Sequence, residues 1–331
     1  MIIEELPMII FTIVAQMSVG AFWALGAIHV AGYLKKISPE AVDRITNAAL
    51  FAVGPLLVAG FIAAFFHLND PFNSIHTLSH FGSSWLSREL VFGVAFAGSG
   101  ALFAITQWFG LLSRGLREVL AVLTAAAGFG LVLSMAGVYF SVETIPAWNT
   151  WHIPVFFFAS ALLTGSLAVA VALLVIWNHS HAGKKGVLAK VSNRGSDDTA
   201  PLGDDLIALI RTSVQWLSIT AASAGVVIML TYPMYFQYLA HNANPAAQDV
   251  SARLDGAFLA WRLILLGVAV VIAGGFAFAR ARVTETPSGK LSFLLVTALL
   301  LAVISEVLGR NMHYEGLWHV GLNTWQMYGG H

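Results

Sequence analysis

The sequence contains no cysteine, and charged residues make up only 10% of its 331 residues. Without cysteine the chain forms no disulfide and offers no thiolate ligand to a zinc ion or an iron–sulfur cluster. Soluble domains carry roughly 25% charged residues, so this composition excludes an ordinary solvated surface. Hydrophobic residues make up 58% of the chain and the mean hydropathy is +0.77. Together these values indicate an integral membrane protein.

Long apolar runs occupy most of the chain. A bilayer core about 30 Å thick is crossed by about 20 apolar residues in a helix, and a helix satisfies its own backbone amides in lipid. The sequence therefore predicts an all-α integral membrane protein, a single domain over residues 1–331 in which eight transmembrane helices form a bundle. The runs are about 6–34, 46–67, 88–112, 117–140, 152–178, 206–239, 257–281 and 290–311.

Polar segments, including SVETIPAWNT and HNANPAAQ, separate the apolar runs and are predicted to be breaks between helices. The longest, 179–205, is rich in Lys, Asp, Gly and Ser, and we expect a flexible cytoplasmic loop without chemistry of its own. The first apolar run follows two acids and no basic residue, and it is too long for a cleavable signal. We expect it to be retained as the first membrane helix.

Basic residues predict the orientation of the bundle. Three of the seventeen fall on one side, Arg88, Arg253 and Arg310, and two lie inside predicted spans, Arg211 and Arg262. The other twelve fall on the opposite side: Lys35, Lys36, Arg44, Arg114, Arg117, Lys184, Lys185, Lys190, Arg194, Arg280, Arg282 and Lys290. Because basic loops stay in the cytoplasm, we expect both termini on the periplasmic side.

Histidines concentrate on the predicted outer side. Eight of the eleven lie there: His67, His76, His80, His152, His241, His313, His319 and His331. Interfacial histidines are common, but as a group these indicate chemistry or a docking surface on that side. No HExxH motif or comparable close pair is present, so the sequence predicts no metal site.

Two ionisable groups stand where the second span ends and the third begins. His67 ends the second span, and the Asp70–Pro71 pair that follows breaks the helix. Arg88 and Glu89 open the third span. The simple interpretation of Glu89 is an acid near the positive end of a helix dipole. The functional interpretation is a site at the outer interface, in which Arg88 keeps Glu89 ionised or orients a ligand.

A third ionisable group lies in the last span, where Glu306, Arg310 and Tyr314 recur at intervals of one helical turn. Charged side chains in membrane helices usually face a bundle interior or a cavity. The simple interpretation is an i,i+4 ion pair between Glu306 and Arg310. Arg262, inside the seventh span, is interpreted as a structural partner for a buried carboxylate or carbonyl.

Aromatic residues also cluster toward the outer edge, in AWNTWHIPVFFF, YPMYFQY and WHVGLNTW. Tyr and Trp form belts at membrane interfaces, which is the simple interpretation of these clusters. The alternative is the wall of a pocket for an amphipathic ligand that opens sideways from the bilayer.

Four segments resemble the membrane-anchor subunit of the dimethyl sulfoxide reductase family, in the order and at roughly the spacing found there. They are ELPMIIFTIVAQMSVGAFW, FFHLNDPFNSIHTLSHFGSSWLSREL, GVYFSVETIPAWNTWHIPVFFFASALLTG and EVLGRNMHYEG. The elements His-Leu-x-x-Pro, Leu-Ser-Arg-Glu, Pro-x-Trp-Asn and Glu-x-x-Gly-Arg are the more specific part of the resemblance. The insert at 179–205 and the histidine-containing C-terminus are departures from it.

The resemblance implies a role in anaerobic respiration in the bacterial inner membrane. Such anchors hold a molybdopterin catalytic subunit and an iron–sulfur electron-transfer subunit on the outer face, bind no haem, and oxidise quinol, typically menaquinol. It implies that His67 belongs to the quinol site with Glu89 as a second member, and we add Arg88, Glu306, Arg310 and Tyr314 as candidate quinol-binding residues. Molybdopterin and the iron–sulfur clusters belong to the partner subunits.

Quinol oxidation suits these residues, because it releases two electrons and two protons. A histidine, which exchanges a proton near neutral pH, can accept one of them, and a carboxylate can pass the second outward. Three alternatives stay open: a haem b cytochrome ligated by two of His67, His152 and His241; an ion-translocating, polysulfide-reductase-like anchor with Glu306 and Arg262 on the ion path; and a purely structural anchor.

Overall fold

The computed structural model describes residues 6–39, 42–43, 45–46, 50, 54, 80–181 and 203–317. Every regular element within these residues is helical. The helices are α1 (Leu6–Leu34), α2 (Trp85–Phe109), α3 (Arg114–Phe140), α4 (His152–His181), α5 (Asp204–Ala240), α6 (Pro245–Leu254), α7 (Ala257–Val270), α8 (Phe278–Val283) and α9 (Gly289–Glu315). A π-helical segment, Val271–Ala277, joins α7 to α8 in one continuous stretch.

Seven helical stretches in the described part of the chain are long and apolar enough to cross a membrane. They correspond to the first and the third to eighth predicted spans, and their ends lie within four residues of the predicted ends. Most of the predicted second span, 46–67, lies outside the described residues, as do residues 182–202 of the polar insert. The all-α prediction is confirmed for the described residues, whereas the second span, and with it the count of eight, stays a prediction.

Helix α6 corrects the prediction that HNANPAAQ is only a break. Asn244 caps this helix, since its Oδ1 accepts a hydrogen bond of 3.0 Å from the Ala246 amide, and Pro245 occupies the first turn. Proline suits that position because its missing N–H has no partner there in any case. Ala247 and Val250 are buried on one face of α6. The Asn-Pro signal for a helix start was therefore present in the sequence.

Helices α1 and α4 cross at a contact that only glycine permits. A Cβ on Gly20 would overlap the Ala161 carbonyl, and a Cβ on Gly165 would overlap the Ala21 backbone nitrogen. Small residues at helix crossings allow backbones to approach closely in membranes. This crossing fixes α1 against α4, the most buried of the seven spans.

One end of the bundle carries the starts of α1, α2, α4 and α7 and the ends of α3, α5 and α9. We call it the outer end, after the orientation that the basic residues predict. The loop at 141–151 closes over this end. Trp148 Nε1 donates a hydrogen bond of 2.8 Å to the His313 carbonyl, and the Tyr235 hydroxyl donates one of 3.0 Å to the Ala147 carbonyl. These bonds attach the loop to α5 and α9.

Candidate functional site

A buried ion pair joins α7 to α9 near the outer end. Arg262 Nη2 lies 3.3 Å from Glu306 Oε1, and the two side chains are 3% and 2% exposed. Arg262 Nη1 also donates to the Ser305 carbonyl at 3.2 Å, and Ser305 Oγ donates to the Arg262 carbonyl at 3.0 Å. The interpretation of Arg262 as a partner of a buried carboxylate and carbonyl is confirmed.

Arg310 does not form the i,i+4 ion pair with Glu306 that the sequence suggested. Its Nη2 donates to Gln16 Oε1 on α1 at 2.6 Å, and its guanidinium lies 3.8 Å from the ring centroid of Phe157 on α4. Glu306 is bound by Arg262 from a different helix. Contacts between helices therefore override the local pairing, and Arg310 is left with a neutral acceptor and an aromatic face.

The group formed by Arg262, Glu306 and Arg310 carries more positive than negative charge. Arg262 and Arg310 are 2% and 4% exposed, and the one carboxylate of this group, that of Glu306, is paired with Arg262. Four buried nitrogen atoms in the same region have no hydrogen-bond partner among the described residues: Gln16 Nε2, Arg262 Nε, Arg310 Nε and His313 Nε2. A buried charge without a partner is costly, so the region favours ligand atoms that accept hydrogen bonds.

A small cavity adjoins the cluster between α4, α5 and α9. Its volume is about 20 Å³, which accommodates a water-sized molecule. Its walls include Phe156, Tyr232, Arg262, Glu306 and His313. Phe156 and Tyr232, from two of the aromatic segments noted in the sequence, thus pack inside the bundle, so these segments do not serve only as an interfacial belt.

Two tyrosine hydroxyls meet near the outer end, where α3 and α9 end. The Tyr139 and Tyr314 oxygens lie 3.0 Å apart, and both side chains are buried. The His313 ring stands edge-on to Tyr139 with the centroids 4.4 Å apart, and it stacks on Trp148 at 5.4 Å. Tyr314 was a predicted site residue. Tyr139 and His313 were not, although each lies in a segment that carries the family resemblance.

Glu89 belongs to the same region as the tyrosine pair. Its charge acts on the hydroxyls of both Tyr139 and Tyr314. Its side chain is half-buried near the start of α2, and no described residue forms a hydrogen bond with its carboxylate. The fold thus gathers Glu89, Tyr314 and Arg310, which come from two separate sequence groups.

Arg88 does not join this group. It donates hydrogen bonds to the Phe81 carbonyl at 3.0 Å and the Gly82 carbonyl at 2.7 Å, and its guanidinium lies over the Trp85 ring at 4.4 Å. Arg88 therefore holds the segment entering α2, and the expected contact with Glu89 is not formed. His67, the other central prediction, lies outside the described residues.

The helices and the polar cluster define a polytopic, all-α membrane protein with ionisable groups gathered at one end of its bundle. The family model of the DMSO reductase anchor subunit (DmsC) matches residues 1–317. The protein belongs to this family, which confirms the resemblance inferred from its motifs.

Several named proteins are similar in sequence to this one. One of the anaerobic dimethyl sulfoxide reductase chains of Escherichia coli (strain K12) is 32% identical over 164 residues, which are 50% of this protein and 56% of the relative. A second such protein from the same organism, YnfH, is 30% identical over 51% of this protein and 58% of the relative. A sulfite dehydrogenase subunit from Allochromatium vinosum is 26% identical over 40% and 44%. The matched region thus spans about half the length of these relatives.

Proposed function

We propose that the protein is the membrane anchor and quinol-oxidising subunit of a periplasm-facing oxidoreductase complex in the bacterial inner membrane. It accepts electrons from menaquinol and passes them to an iron–sulfur subunit, which supplies a molybdopterin catalytic subunit. The observation that supports this function is the group formed by Glu89, Tyr314 and Arg310 at the outer end of a largely apolar bundle. Membership of the anchor-subunit family supports the partners.

The proposed chemistry separates the electrons of quinol from its protons. The iron–sulfur partner takes the two electrons, while side chains of this protein take the two protons. His67 accepts one proton, and Glu89 accepts the other and releases it toward the outer face. A half-buried carboxylate without a hydrogen-bond partner in the described structure is suited to this task, because no competing donor holds its oxygens.

The experiment compares menaquinol-analogue oxidation and binding in membranes that contain the whole complex. His67→Ala and Glu89→Gln are expected to lower kcat by roughly a hundredfold, the lower end of general-base contributions, while the complex still assembles. His241→Ala is the matched control, because this histidine is exposed at the outer end and, within the described part of the chain, its ring nitrogen contacts the Gln237 carbonyl one turn earlier in the same helix. Normal oxidation in both site variants would contradict the proposal, and a Soret band from the purified protein would favour the haem alternative.

A further inference from the structure

The hydroxyls of Tyr139 and Tyr314 form a buried pair that the proposed proton acceptors do not use. They come from the last turns of α3 and α9, and their oxygens lie 3.0 Å apart. Within such a pair one hydroxyl donates to the other. The second proton has an acceptor in Thr12 Oγ1, which lies beside Tyr314 and donates its own proton to the Met8 carbonyl, so a ligand oxygen would replace Thr12 there.

Charges of opposite sign act on this pair. The guanidinium of Arg310 and the carboxylate of Glu89 both act on the Tyr139 and Tyr314 hydroxyls. Among the described residues the Arg310 side chain contacts the neutral Gln16 and the Phe157 ring, and Glu306, whose charge also acts on it, is paired with Arg262. Its positive charge therefore remains available to polarise the tyrosines, and a low local dielectric strengthens this effect.

We propose that the Tyr139–Tyr314 pair binds the quinol oxygen whose proton passes to Glu89. The tyrosine proton that is not used within the pair donates a hydrogen bond to that oxygen in place of Thr12, and the Glu89 carboxylate accepts the hydroxyl proton. The O–H bond of the quinol breaks, a carboxylic O–H bond forms on Glu89, and the electrons leave to the iron–sulfur partner. Arg310 is a positioning residue, because its charge strengthens the tyrosine donor without touching the ligand.

This assignment rests on the proposed function and adds a ligand contact to it. A purely structural tyrosine pair would hold α3 to α9 and would not interact with the quinone. A ligand-binding pair instead weakens the C=O bond of bound quinone, because a hydrogen bond lowers the carbonyl stretching frequency. Infrared difference spectra of carbonyl-labelled menaquinone in the assembled complex separate the two cases.

The test uses Tyr139→Phe, Tyr314→Phe and the double variant in the whole complex. Phenylalanine keeps the rings and removes only the hydroxyls. We expect the lowered carbonyl band to return toward the frequency of free quinone and kcat/KM to fall about tenfold, as for the loss of one hydrogen bond. The double variant should lose little more than either single variant, because the two hydroxyls act as a unit.

Tyr238→Phe is the matched control, since Tyr238 lies near the outer end of α5 and contacts the His152 ring. It should leave both the band and the kinetics unchanged. An unshifted carbonyl band in the wild type, or wild-type band and kinetics in both tyrosine variants, would overturn the inference. If Glu89→Gln is still impaired in that case, the proposed function stands, whereas normal His67→Ala and Glu89→Gln complexes would reject the function itself.

Discussion

Arg262 of α7 and Glu306 of α9 form a buried ion pair between two helices of the described structure, with Nη2 and Oε1 3.3 Å apart. The same guanidinium donates to the Ser305 carbonyl, and the Ser305 hydroxyl donates back to the Arg262 carbonyl. The helices are thus joined by reciprocal hydrogen bonds as well as by charge. Glu306 is thus paired with Arg262 and not with Arg310, whose guanidinium instead contacts Gln16 and Phe157.

Removing the carboxylate of this pair should be strongly destabilising. Glu306→Gln leaves a second buried guanidinium without a countercharge, and breaking a buried ion pair in this way costs roughly 3–5 kcal/mol. Unfolding of the purified protein in detergent measures the change. Glu118→Gln is the control, because its pair with Arg114 is exposed and such pairs are worth about 0.5 kcal/mol. Equal losses in the two variants would show that Glu306 is not paired as described.

Gly309 makes room for the Arg262 side chain. A Cβ at this position would overlap the Arg262 guanidinium, so Gly309→Ala should displace Arg262 and lower stability by about 1–3 kcal/mol, as overpacking does. Gly98→Ala is the control on α2, since a Cβ there meets no atom within 4 Å. Thermal unfolding in detergent compares the two, and a Gly309→Ala protein as stable as Gly98→Ala would contradict this account.

The crossing of α1 and α4 depends on two glycines. Gly165→Val should separate the helices, because even a Cβ at this position would overlap the α1 backbone. We expect a lower unfolding temperature and less folded protein in the membrane. Gly26→Ala, on α1 and without neighbours within 4 Å, should behave as wild type. Membrane yield and unfolding temperature test the prediction, which fails if Gly165→Val matches the control.

For menaquinol oxidation, the positive charge of the Arg310 side chain should matter more than the shape of its guanidinium group. If Arg310 polarises the tyrosine pair, Arg310→Gln should lower kcat/KM for menaquinol about tenfold, close to the effect of losing one hydrogen bond. Arg310→Lys should recover part of the loss because it keeps the charge. Arg211→Gln is the control, since Arg211 donates to the Arg282 carbonyl at the opposite end of the bundle. Equal activities of the Gln and Lys variants would argue against an electrostatic role.

Local sequence patterns predicted the spans well, because the cost of exposing a backbone amide to lipid makes every long apolar run helical. For the same reason the sequence predicted where α3 and α9 end to within four residues. Helix α6 was missed because its mean hydropathy resembles that of a loop, although the Asn244–Pro245 pair indicated a helix start. Side-chain pairing was less predictable. The four-residue spacing of Glu306 and Arg310 permits an ion pair, but it contains no information about a competing arginine on α7.

The sequence by itself determined the membrane class, the boundaries of seven helices, the family and most of the polar residues that merit attention. Hydropathy and motif spacing are properties of short segments, so they can be evaluated without knowledge of the neighbours. Only the tertiary structure decided that Glu306 binds Arg262, that Arg88 holds the segment before α2, and that Tyr139 meets Tyr314 beside Glu89. These outcomes depend on which helices pack together, because a buried side chain takes its partners from the helices that surround it.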